Sequence, residues 1–411
     1  MPLRFISNIL TTLLKQPNSN HNDKNSNNKH KEPTNSSITF GSSTATIQGL
    51  FPSSKKSDDT DTSTLSSFND QKTWATHREQ LDYWQQQPSV FEKMDLSKNI
   101  NKYTLMNTLG TGTFGRVYLA KEKSQNKVIS IKVLKKSDVV RLKQVEHINS
   151  ERQVLSRIRF PFIVQLYCTF QDQQFLYMVH EFVQGGELFK LLRKNKRFPD
   201  HVAKFYAGEV LLAIEYLHSK DIIYRDLKPE NILLDTQGHI KIIDFGFAKY
   251  VHDITWTLCG TPDYLAPEVI QSRGYGKDWW SLGILIFEML AGHPPFFDED
   301  HLKLYEKIIA GRIKWPSHFD TNAKDLLKKL LTPDLSKRYG NLKKGSEDIK
   351  RHPWFDSIDF NRLLSKKSQP PFVPEIHGDM DSSHFDKYPE TNEKYGVTDL
   401  NDPFRHLFTD F

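Results

Sequence analysis

Cysteine is scarce in this sequence, long apolar runs are missing and the charges nearly balance. The two cysteines of the 411-residue chain, Cys168 and Cys259, have the spacing of neither a metal motif nor a disulfide framework. They favour a reducing compartment inside the cell. No apolar run is long enough to cross a bilayer, and the net charge of +6 forms no obvious nucleic-acid patch. We expect no stable membrane span, no nucleic-acid partner and a cytoplasmic protein that can also be nuclear.

The first 70 residues lack the composition of a folded domain. Residues 17–70 are rich in Asn, Ser, Thr and Asp and poor in branched apolar residues, so they are predicted to be disordered. Residues 1–16 space apolar side chains among polar ones and carry two basic residues but no acidic one. That segment fits a short amphipathic helix, a transit peptide, a docking segment or a partly disordered tail. Pro2 excludes N-myristoylation, which needs glycine there.

Ordered structure is expected to begin after this extension. Within residues 71–102, the side chains of Trp74, Leu81 and Trp84 stand in polar surroundings and predict a helix that ends before Pro88. The aromatic side of this helix would pack against the domain that follows. We interpret residues 71–102 as an N-terminal helix and linker.

Two motifs dominate the rest of the chain, YRDLKPEN at 224–231 and DFG at 244–246. The β-branched and leucine-rich runs between them, 232–235 and 239–243, are separated by Gly238 and predict strand, turn, strand. Such a hairpin can hold one carboxylate and one amide, Asp226 and Asn231, just before its first strand. It can hold a second carboxylate, Asp244, just after its second strand. Phosphoryl transfer needs such a set, because a base must orient a hydroxyl and oxygen ligands must hold Mg²⁺.

Each polar residue of these motifs has a role in that chemistry. Asp226 would accept the proton of a substrate hydroxyl, and Lys228 would neutralise the transferring phosphate. Asn231 and Asp244 offer the hard oxygens that Mg²⁺ prefers. Any one of these residues alone would more often belong to a solvated charged loop, but the two motifs together disfavour that alternative.

A glycine-rich segment near residue 110 predicts a phosphate-binding hairpin. Residues 109–118 read LGTGTFGRVY, and a strand rather than a helix follows, which argues against a dinucleotide-binding crossover. Backbone N–H groups of such a hairpin can close over phosphates, and Val117 would pack on a base. The apolar strand predicted at 128–134 contains Lys132, which needs partners if it is buried. Phosphates and Glu151 of the next helix would supply them.

The remaining pattern predicts two lobes. An apolar strand at 175–183 ends at Gly185 and Gly186, a natural hinge. Helices are predicted afterwards at 188–192, 202–217, 282–290 and 326–331. The expected architecture is a small, mainly β lobe, then a larger, mainly α lobe, with the site in the cleft between them.

These motifs resemble those of the AGC group of serine/threonine protein kinases, and within it those of the cAMP-dependent type. The resemblance covers residues 71–411. It rests on segments 109–117, 224–231, 244–249 and 255–264 and on the ending FTDF at 408–411. It implies an α+β, bilobal protein-kinase fold with the kinase domain at 103–355 and the AGC C-terminal tail at 356–411. ATP and Mg²⁺ would be the cofactors.

The resemblance also implies a catalytic and a nucleotide-binding set. Lys132 and Glu151 join Asp226 and Lys228 as catalytic residues. The ATP-binding residues would be Leu109, Gly110, Gly112, Gly115, Val117, Lys132, Glu181, Val183, Leu233 and Phe385. Phe385 and Tyr388 match the tail segment that crosses the nucleotide cleft. The terminal Phe408 and Phe411 would fill a pocket on the small lobe.

Activation and substrate choice follow from the same resemblance. Thr257 matches the activation-loop phosphosite, and Arg225, Lys249 and His147 would hold its phosphate. Substrates of the form R-R-x-S/T-hydrophobic are expected. Their arginines would be read by Glu187, Glu230 and Glu288, and the apolar residue after the hydroxyl would meet Leu258, Pro262 and Leu265. Trp256 and Tyr305 match positions that dock an inhibitory, cAMP-binding regulatory subunit, although each could equally be a core aromatic.

Four departures stand against the resemblance. His180 replaces an apolar residue behind the adenine, and Ser130 replaces alanine in the adenine roof. Glu390 falls where a phosphoserine is expected, which leaves Thr391 as a weak phosphosite. The connection from Lys277 to Asp278 is two residues short. That shortening would strain the loop or shift the helix, and loss of the Asp278 contact to the catalytic loop costs about 1.5–3 kcal/mol.

Three functions remain open from the sequence. The first is an active kinase under cAMP control, since every residue with a direct chemical role is present. The second is a catalytically impaired scaffold of the kinase fold, damaged by the short connection before Asp278. The third is another AGC kinase without a cAMP-linked partner.

Overall fold

A five-stranded antiparallel sheet forms the smaller lobe of the protein. The computed structural model describes residues 77–396 and 401–411, so the predictions for Trp74 and residues 1–70 lie outside the described residues. The strand order is β1-β2-β3-β5-β4. The strands are β1 (Tyr103–Gly112), β2 (Gly115–Glu122), β3 (Val128–Lys135), β4 (Leu166–Gln171) and β5 (Phe175–His180).

The register of this sheet places Lys132 beside the glycine hairpin. β3 is the central strand, and Lys132 pairs with Val117 on β2 and with Met178 on β5. The hairpin between β1 and β2 closes at the Gly112–Gly115 pair. The strand predicted at 175–183 ends early, at His180, and the next residues form the hinge.

Two sets of helices accompany the sheet, and one of these helices carries a predicted catalytic residue. The first helix of the chain, α1 (His77–Gln86), matches the predicted N-terminal helix, and its Trp84 ring contacts the Phe160 ring edge to face. After β3 come α2 (Lys136–Arg141) and α3 (Val145–Leu155), and α3 brings Glu151 to the sheet.

The larger lobe is built around two helices that are buried almost all round. These are α5 (Asp200–Ser219) and α7 (Trp279–Ala291), which pack on each other. A helix that is apolar on every face belongs inside a core. The other helices are α4 (Leu188–Asn195), α6 (Pro267–Ile270), α8 (His301–Ala310), α9 (Thr321–Leu330), α10 (Glu347–Lys350) and α11 (Phe360–Leu364). Among the described residues, no helix is both long and apolar enough to cross a membrane.

Two short antiparallel strand pairs flank the predicted catalytic segment of the large lobe. The predicted strand, turn, strand is present as β7 (Ile232–Leu234) and β8 (Ile240–Ile242). β6 (Ile222–Ile223) pairs with β9 (Lys249–Tyr250) across the catalytic segment. A 3-10 turn, Pro229–Asn231, leads directly into β7. The segments that carry the predicted acidic residues are therefore held by paired strands on both sides.

The C-terminal tail returns to the small lobe. Phe408 is fully buried, and its carbonyl accepts a hydrogen bond of 2.6 Å from Gln171 Nε2 on β4. Lys136, the first residue of α2, is also fully buried and pairs with Asp402 of the tail at 2.6 Å. The predicted anchoring of Phe408 on the small lobe is thus confirmed.

Candidate active site

Asp226 lies at the centre of a hydrogen-bonded cluster in the cleft. Its carboxylate is only 3% exposed. Oδ2 accepts from Lys228 Nζ at 2.9 Å and from Asn231 Nδ2 at 2.8 Å, while Oδ1 accepts from Thr261 Oγ1 at 2.8 Å. The structure therefore brings three predicted residues together. Thr261 was not predicted as a site residue, although it lies in the segment 255–264 on which the resemblance rests, because only the packing of the chain brings it to Asp226, 35 positions away.

Asp278 fixes the backbone that carries Asp226. Its carboxylate accepts from the backbone N–H of Tyr224 at 3.0 Å and of Arg225 at 2.8 Å. His218 Nε2 lies 2.8 Å from the same carboxylate. The contact that the short Lys277–Asp278 connection put at risk is present, and α7 still begins immediately after Asp278.

Lys132 and Glu151 form the second charged pair of the site. Lys132 Nζ lies 2.7 Å and 2.9 Å from the two carboxylate oxygens of Glu151. Asp244 Oδ1 lies 3.8 Å from the same nitrogen. Burial alone would lower the pKa of Lys132, but the neighbouring Glu151 and Asp244 carboxylates outweigh it and raise the pKa above its usual value. The lysine is therefore a fixed positive charge facing the cleft.

Asp244 and Asn231, the two predicted metal ligands, lie on adjacent segments. Ile243, directly before Asp244, donates its N–H to Asn231 O at 2.9 Å, so the two segments are adjacent. The Asp244 side chain is 49% exposed, and its backbone is in the left-handed region at φ 59°. The Asn231 amide nitrogen is used on Asp226, which leaves the amide oxygen as its metal-binding atom.

The donor set fits Mg²⁺ bound together with a phosphate chain. Among the described residues there is no group of three or more His, Cys, Asp or Glu side chains that would hold a metal without help. Mg²⁺ commonly takes only one or two protein ligands, with phosphate oxygens and water completing its octahedron. Asp244 and Asn231 match that pattern.

A cavity of about 470 Å³ lies between the lobes. All ten residues predicted to bind ATP line it: Leu109, Gly110, Gly112, Gly115, Val117, Lys132, Glu181, Val183, Leu233 and Phe385. A volume of this size suits a nucleotide-sized ligand. Glu151 and Asp244 also line the cavity, so the charged pair faces the same space as the glycine hairpin.

The two polar departures sit at the rear and roof of this cavity. Burial and the nearby Lys132 lower the pKa of His180 to about 3, so its ring is neutral. Ser130 Oγ donates to the Glu181 carbonyl at 3.0 Å and so uses its polar group within the protein. The Glu181 carboxylate is held by Lys241 Nζ at 2.7 Å. Neither departure places an unpaired charge in the cavity.

Comparison of the sequence with models of known protein families gives a match that agrees with the site described above. The model of the protein kinase domain matches residues 103–355, more than half of the chain. This chain belongs to the protein kinase family. The segment matched is the predicted kinase domain 103–355.

Individual relatives narrow the family further. A cAMP-dependent protein kinase catalytic subunit of Arthrobotrys oligospora is 59% identical over 319 residues, which cover 75% of this chain and 61% of that one. The cAMP-dependent protein kinase type 3 of Saccharomyces cerevisiae is 54% identical over 316 residues, covering 76% and 79%. The catalytic subunit PRKX of Homo sapiens is 54% identical over 296 residues, covering 72% and 83%. The chain groups with the cAMP-dependent catalytic subunits.

Thr257 and the three residues predicted to hold its phosphate differ in exposure and in hydrogen bonding. Thr257 is exposed. Arg225 donates through Nε to Phe247 O at 2.6 Å, but its buried Nη1 has no hydrogen-bond partner among the described residues. Burial and the charge of Arg225 lower the pKa of His147, which donates to Gln144 at 2.5 Å. Lys249, the third predicted phosphate ligand, is exposed.

Three carboxylates form an acidic cluster beside the catalytic loop. Burial raises the pKa of Glu230, and the charges of Glu288 and Glu187 raise it further. Burial also raises the pKa of Glu187. Glu288 is buried and accepts from Arg193 Nη2 at 2.7 Å and from the Tyr264 hydroxyl. Glu187 and Glu230 are half-buried, whereas both carboxylate oxygens of the buried Glu288 already accept hydrogen bonds within the protein.

The predicted docking positions differ in exposure. Leu258 and Pro262 are half-buried and Leu265 is buried, as walls of a shallow apolar site would be. Trp256 is 63% exposed, while Tyr305 is buried. Of the two aromatics predicted to dock a partner, Trp256 is the one presented at the surface.

Proposed function

We propose that this protein transfers the γ-phosphoryl group of ATP to serine or threonine hydroxyls in peptides of the form R-R-x-S/T-hydrophobic. The proposal rests on one observation, the Asp226 cluster next to a cavity that all ten predicted nucleotide residues line. Mg²⁺, when bound with ATP, supplies charge neutralisation at the phosphates.

The residues of the chain divide the chemistry between them. Asp226 would orient the hydroxyl and take its proton, and Lys228, 2.9 Å away, stabilises the charge that develops on the transferring group. Lys132, fixed by Glu151, holds the nucleotide phosphates. Asp244 and Asn231 would ligate the cation. Because these groups are already oriented by hydrogen bonds, little reorganisation is needed during reaction.

Substrate choice is proposed to come from the acidic cluster. Glu187 and Glu230 would pair with the two arginines before the target hydroxyl, since a guanidinium binds a carboxylate in a bidentate way. The wall of Leu258, Pro262 and Leu265 would take the apolar residue that follows.

Regulation is proposed at two levels. A phosphate on Thr257 would pair with Arg225, Lys249 and His147. The buried Nη1 of Arg225, which has no hydrogen-bond partner in the part of the chain that the structure describes, supports this. The exposed Trp256, with Tyr305 beneath the surface, would dock a cAMP-binding regulatory subunit in an inactive complex of two regulatory and two catalytic chains. A cytoplasmic location, extending to the nucleus, stays a prediction.

The retained contacts of Asp278 disfavour the impaired-scaffold alternative. An AGC kinase without cAMP control would share the whole catalytic site, so it differs only in the partner. A pull-down experiment distinguishes the cAMP-controlled kinase from an AGC kinase without cAMP control. Recovery of a partner that cAMP releases would support the first, and absence of such a partner would support the second.

Replacing Asp226 by asparagine tests the proposal directly. We expect Asp226→Asn to leave Mg-ATP affinity within about twofold and to lower kcat by on the order of 10²–10⁴, because the base addresses the hydroxyl and not the nucleotide. ATP affinity by calorimetry and turnover of an arginine-rich peptide measure the two effects. The surface change Asp356→Asn serves as the matched control. A many-fold loss of ATP affinity in Asp226→Asn would contradict the assigned roles.

A further inference from the structure

The C-terminal tail is bonded along the two strands that carry the glycine hairpin. Asn107 Nδ2 donates to Ser382 Oγ at 3.1 Å. Arg116 Nη1 donates to the Pro389 carbonyl at 2.6 Å. Between these points lies Phe385, which lines the cavity. The tail therefore touches both strands of the hairpin that covers the cavity.

Glu390 makes the most specific of these contacts. Its Oε1 accepts from the Thr108 backbone N–H at 3.0 Å, and its Oε2 accepts from Thr108 Oγ1 at 2.8 Å. Both carboxylate oxygens thus engage one residue. Thr108 itself is 3% exposed, so the contact ends in the body of the sheet and not in a surface loop.

Thr108 occupies an irregular point of an edge strand. β1 is the outermost strand of the sheet, and its pairing with β2 shifts register on both sides of Thr108. An edge strand with a local irregularity has backbone donors that the ladder does not satisfy. The Glu390 carboxylate satisfies such a donor, in the way that a capping side chain satisfies the end of a helix.

This contact joins two walls of the cavity. Thr108 directly precedes Leu109 and Gly110, and both of these line the cavity. On the other side, Glu390 follows Phe385 by five residues, and the Phe385 ring packs 6.0 Å from the ring of Phe182 at the hinge. One carboxylate therefore fixes the start of the glycine hairpin relative to the tail residue that closes the cavity.

We propose that Glu390 is a positioning residue for the nucleotide. It acts through Thr108 and Phe385, and it holds the roof and the outer wall of the cavity at the spacing that ATP requires. The inference rests on the proposed function, because it takes ATP as the occupant of the cavity. Both contacts to Thr108 are made by the unmodified glutamate side chain.

The test compares two tail carboxylates, of which one contacts Thr108 and the other does not. Glu390→Gln keeps the shape but removes the charge from the Thr108 contact. Glu393→Gln is the matched control, because Glu393 pairs at 2.8 Å with Lys135 in an exposed ion pair away from Thr108. We expect Glu390→Gln to raise the KM for ATP about threefold to tenfold, with kcat at saturating ATP and the KM for peptide within about twofold of the parent.

Thr108→Val provides an independent arm, since it removes the hydroxyl partner of Oε2. It should raise the KM for ATP, and the double variant should be no worse than the more affected single variant, because both changes break the same contact. Equal KM values for Glu390→Gln and Glu393→Gln would overturn the inference. A parallel fall of kcat and melting temperature without a KM effect would also overturn it, because that is the result of a merely structural role.

Measurements on the unaltered protein distinguish an error in the positioning role of Glu390 from an error in the proposed function. If the unaltered chain bound no Mg-ATP and phosphorylated no peptide, the proposed function itself would be wrong. If it were active and Glu390→Gln matched it in every parameter, the positioning role alone would be wrong.

Discussion

At the scale of residues, the site depends on carboxylates that are each fixed by more than one donor. Asp226 has three donors and Asp278 holds two backbone N–H groups of the catalytic loop. Charge-assisted hydrogen bonds of this kind are about twice as strong as neutral ones. Each carboxylate can therefore hold a loop that has no regular secondary structure of its own.

The acidic cluster predicts a strong preference for arginine over lysine. Replacing both arginines of a substrate peptide by lysine should lower kcat/KM by about tenfold to a hundredfold, because a point charge cannot make the paired bonds that a planar guanidinium makes. Steady-state kinetics with the two peptides measures this. A third peptide with an arginine moved to a position after the hydroxyl controls for total charge. Equal kcat/KM for the first two peptides would refute the assignment.

The raised pKa values of Glu187 and Glu230 predict that peptide binding weakens early on acidification. Because each pKa lies above its usual range, these carboxyls gain protons at a higher pH than ordinary glutamates and lose their charge as the pH falls. The Kd of an arginine peptide, measured by fluorescence anisotropy, should begin to rise at a higher pH than it would with ordinary glutamates. Glu230→Gln should flatten this dependence, and an unchanged slope in that variant would contradict the prediction.

At the scale of elements, the connection before Asp278 packs against the loop that carries Thr257. Thr255 and Tyr275 exchange backbone hydrogen bonds of 2.9 Å and 3.0 Å, and the Tyr275 hydroxyl donates to Thr257 O at 2.7 Å. The left-handed φ of this segment, 78°, falls on Gly274, where it costs little. A Cβ on Gly276 would come within 2.6 Å of the Asp253 carbonyl oxygen. The two loops thus approach each other closely at this connection.

Lengthening this connection should therefore destabilise the protein. Inserting two glycines between Lys277 and Asp278 would free Tyr275 from Thr255 at a cost of about 1–2 kcal/mol for the two lost hydrogen bonds. The melting temperature should fall. A two-glycine insertion after Gly345, where an added Cβ would meet no atom within 4 Å, is the control. A rise in melting temperature would show instead that the short connection is strained.

Some of these elements could be predicted from sequence and others could not. The β7–β8 hairpin, the glycine hairpin and the hinge after β5 were predicted because their signals are local: apolar alternation and glycines. β6 and β9 have two residues each and exist through their pairing with each other, so no local pattern marks them. The same holds for Thr261 and for the Arg193–Glu288 pair, whose partners are 35 and 95 positions away. Long-range contacts of this kind are set by packing and leave no periodicity in the sequence.

At the scale of the whole molecule, the tail ties the two lobes together. It contacts the hinge and the large lobe first, through Gln184 Nε2 to Gly378 O at 2.8 Å and through the Lys190–Asp386 ion pair at 2.8 Å. It then binds the small lobe through Asp402, whose partner Lys136 also donates to the Asp172 carbonyl at 2.7 Å. The tail is a structural component of the kinase and not an appendage.

Removal of the Asp402 charge should show how much this attachment contributes. Asp402→Asn leaves the fully buried Lys136 without its counter-charge, and breaking such a pair costs about 3–5 kcal/mol. Urea unfolding should report this loss. Glu393→Gln, which breaks the exposed pair with Lys135, should cost at most about 1 kcal/mol. Similar losses in both variants would mean that Lys136 finds another partner.

The course of the tail decides what a shortened version of this kinase would be. The segment that matches the protein kinase domain ends at residue 355, yet Phe385 forms part of the cavity wall and Asp402 neutralises Lys136. A chain that ended at residue 355 would lack the part of the cavity wall that Phe385 forms. Affinities of inhibitors measured with that shorter chain would therefore refer to a cavity of different shape. Conversely, a compound that packs on Phe385 contacts a residue outside the domain common to protein kinases, and in that contact lies a route to selectivity.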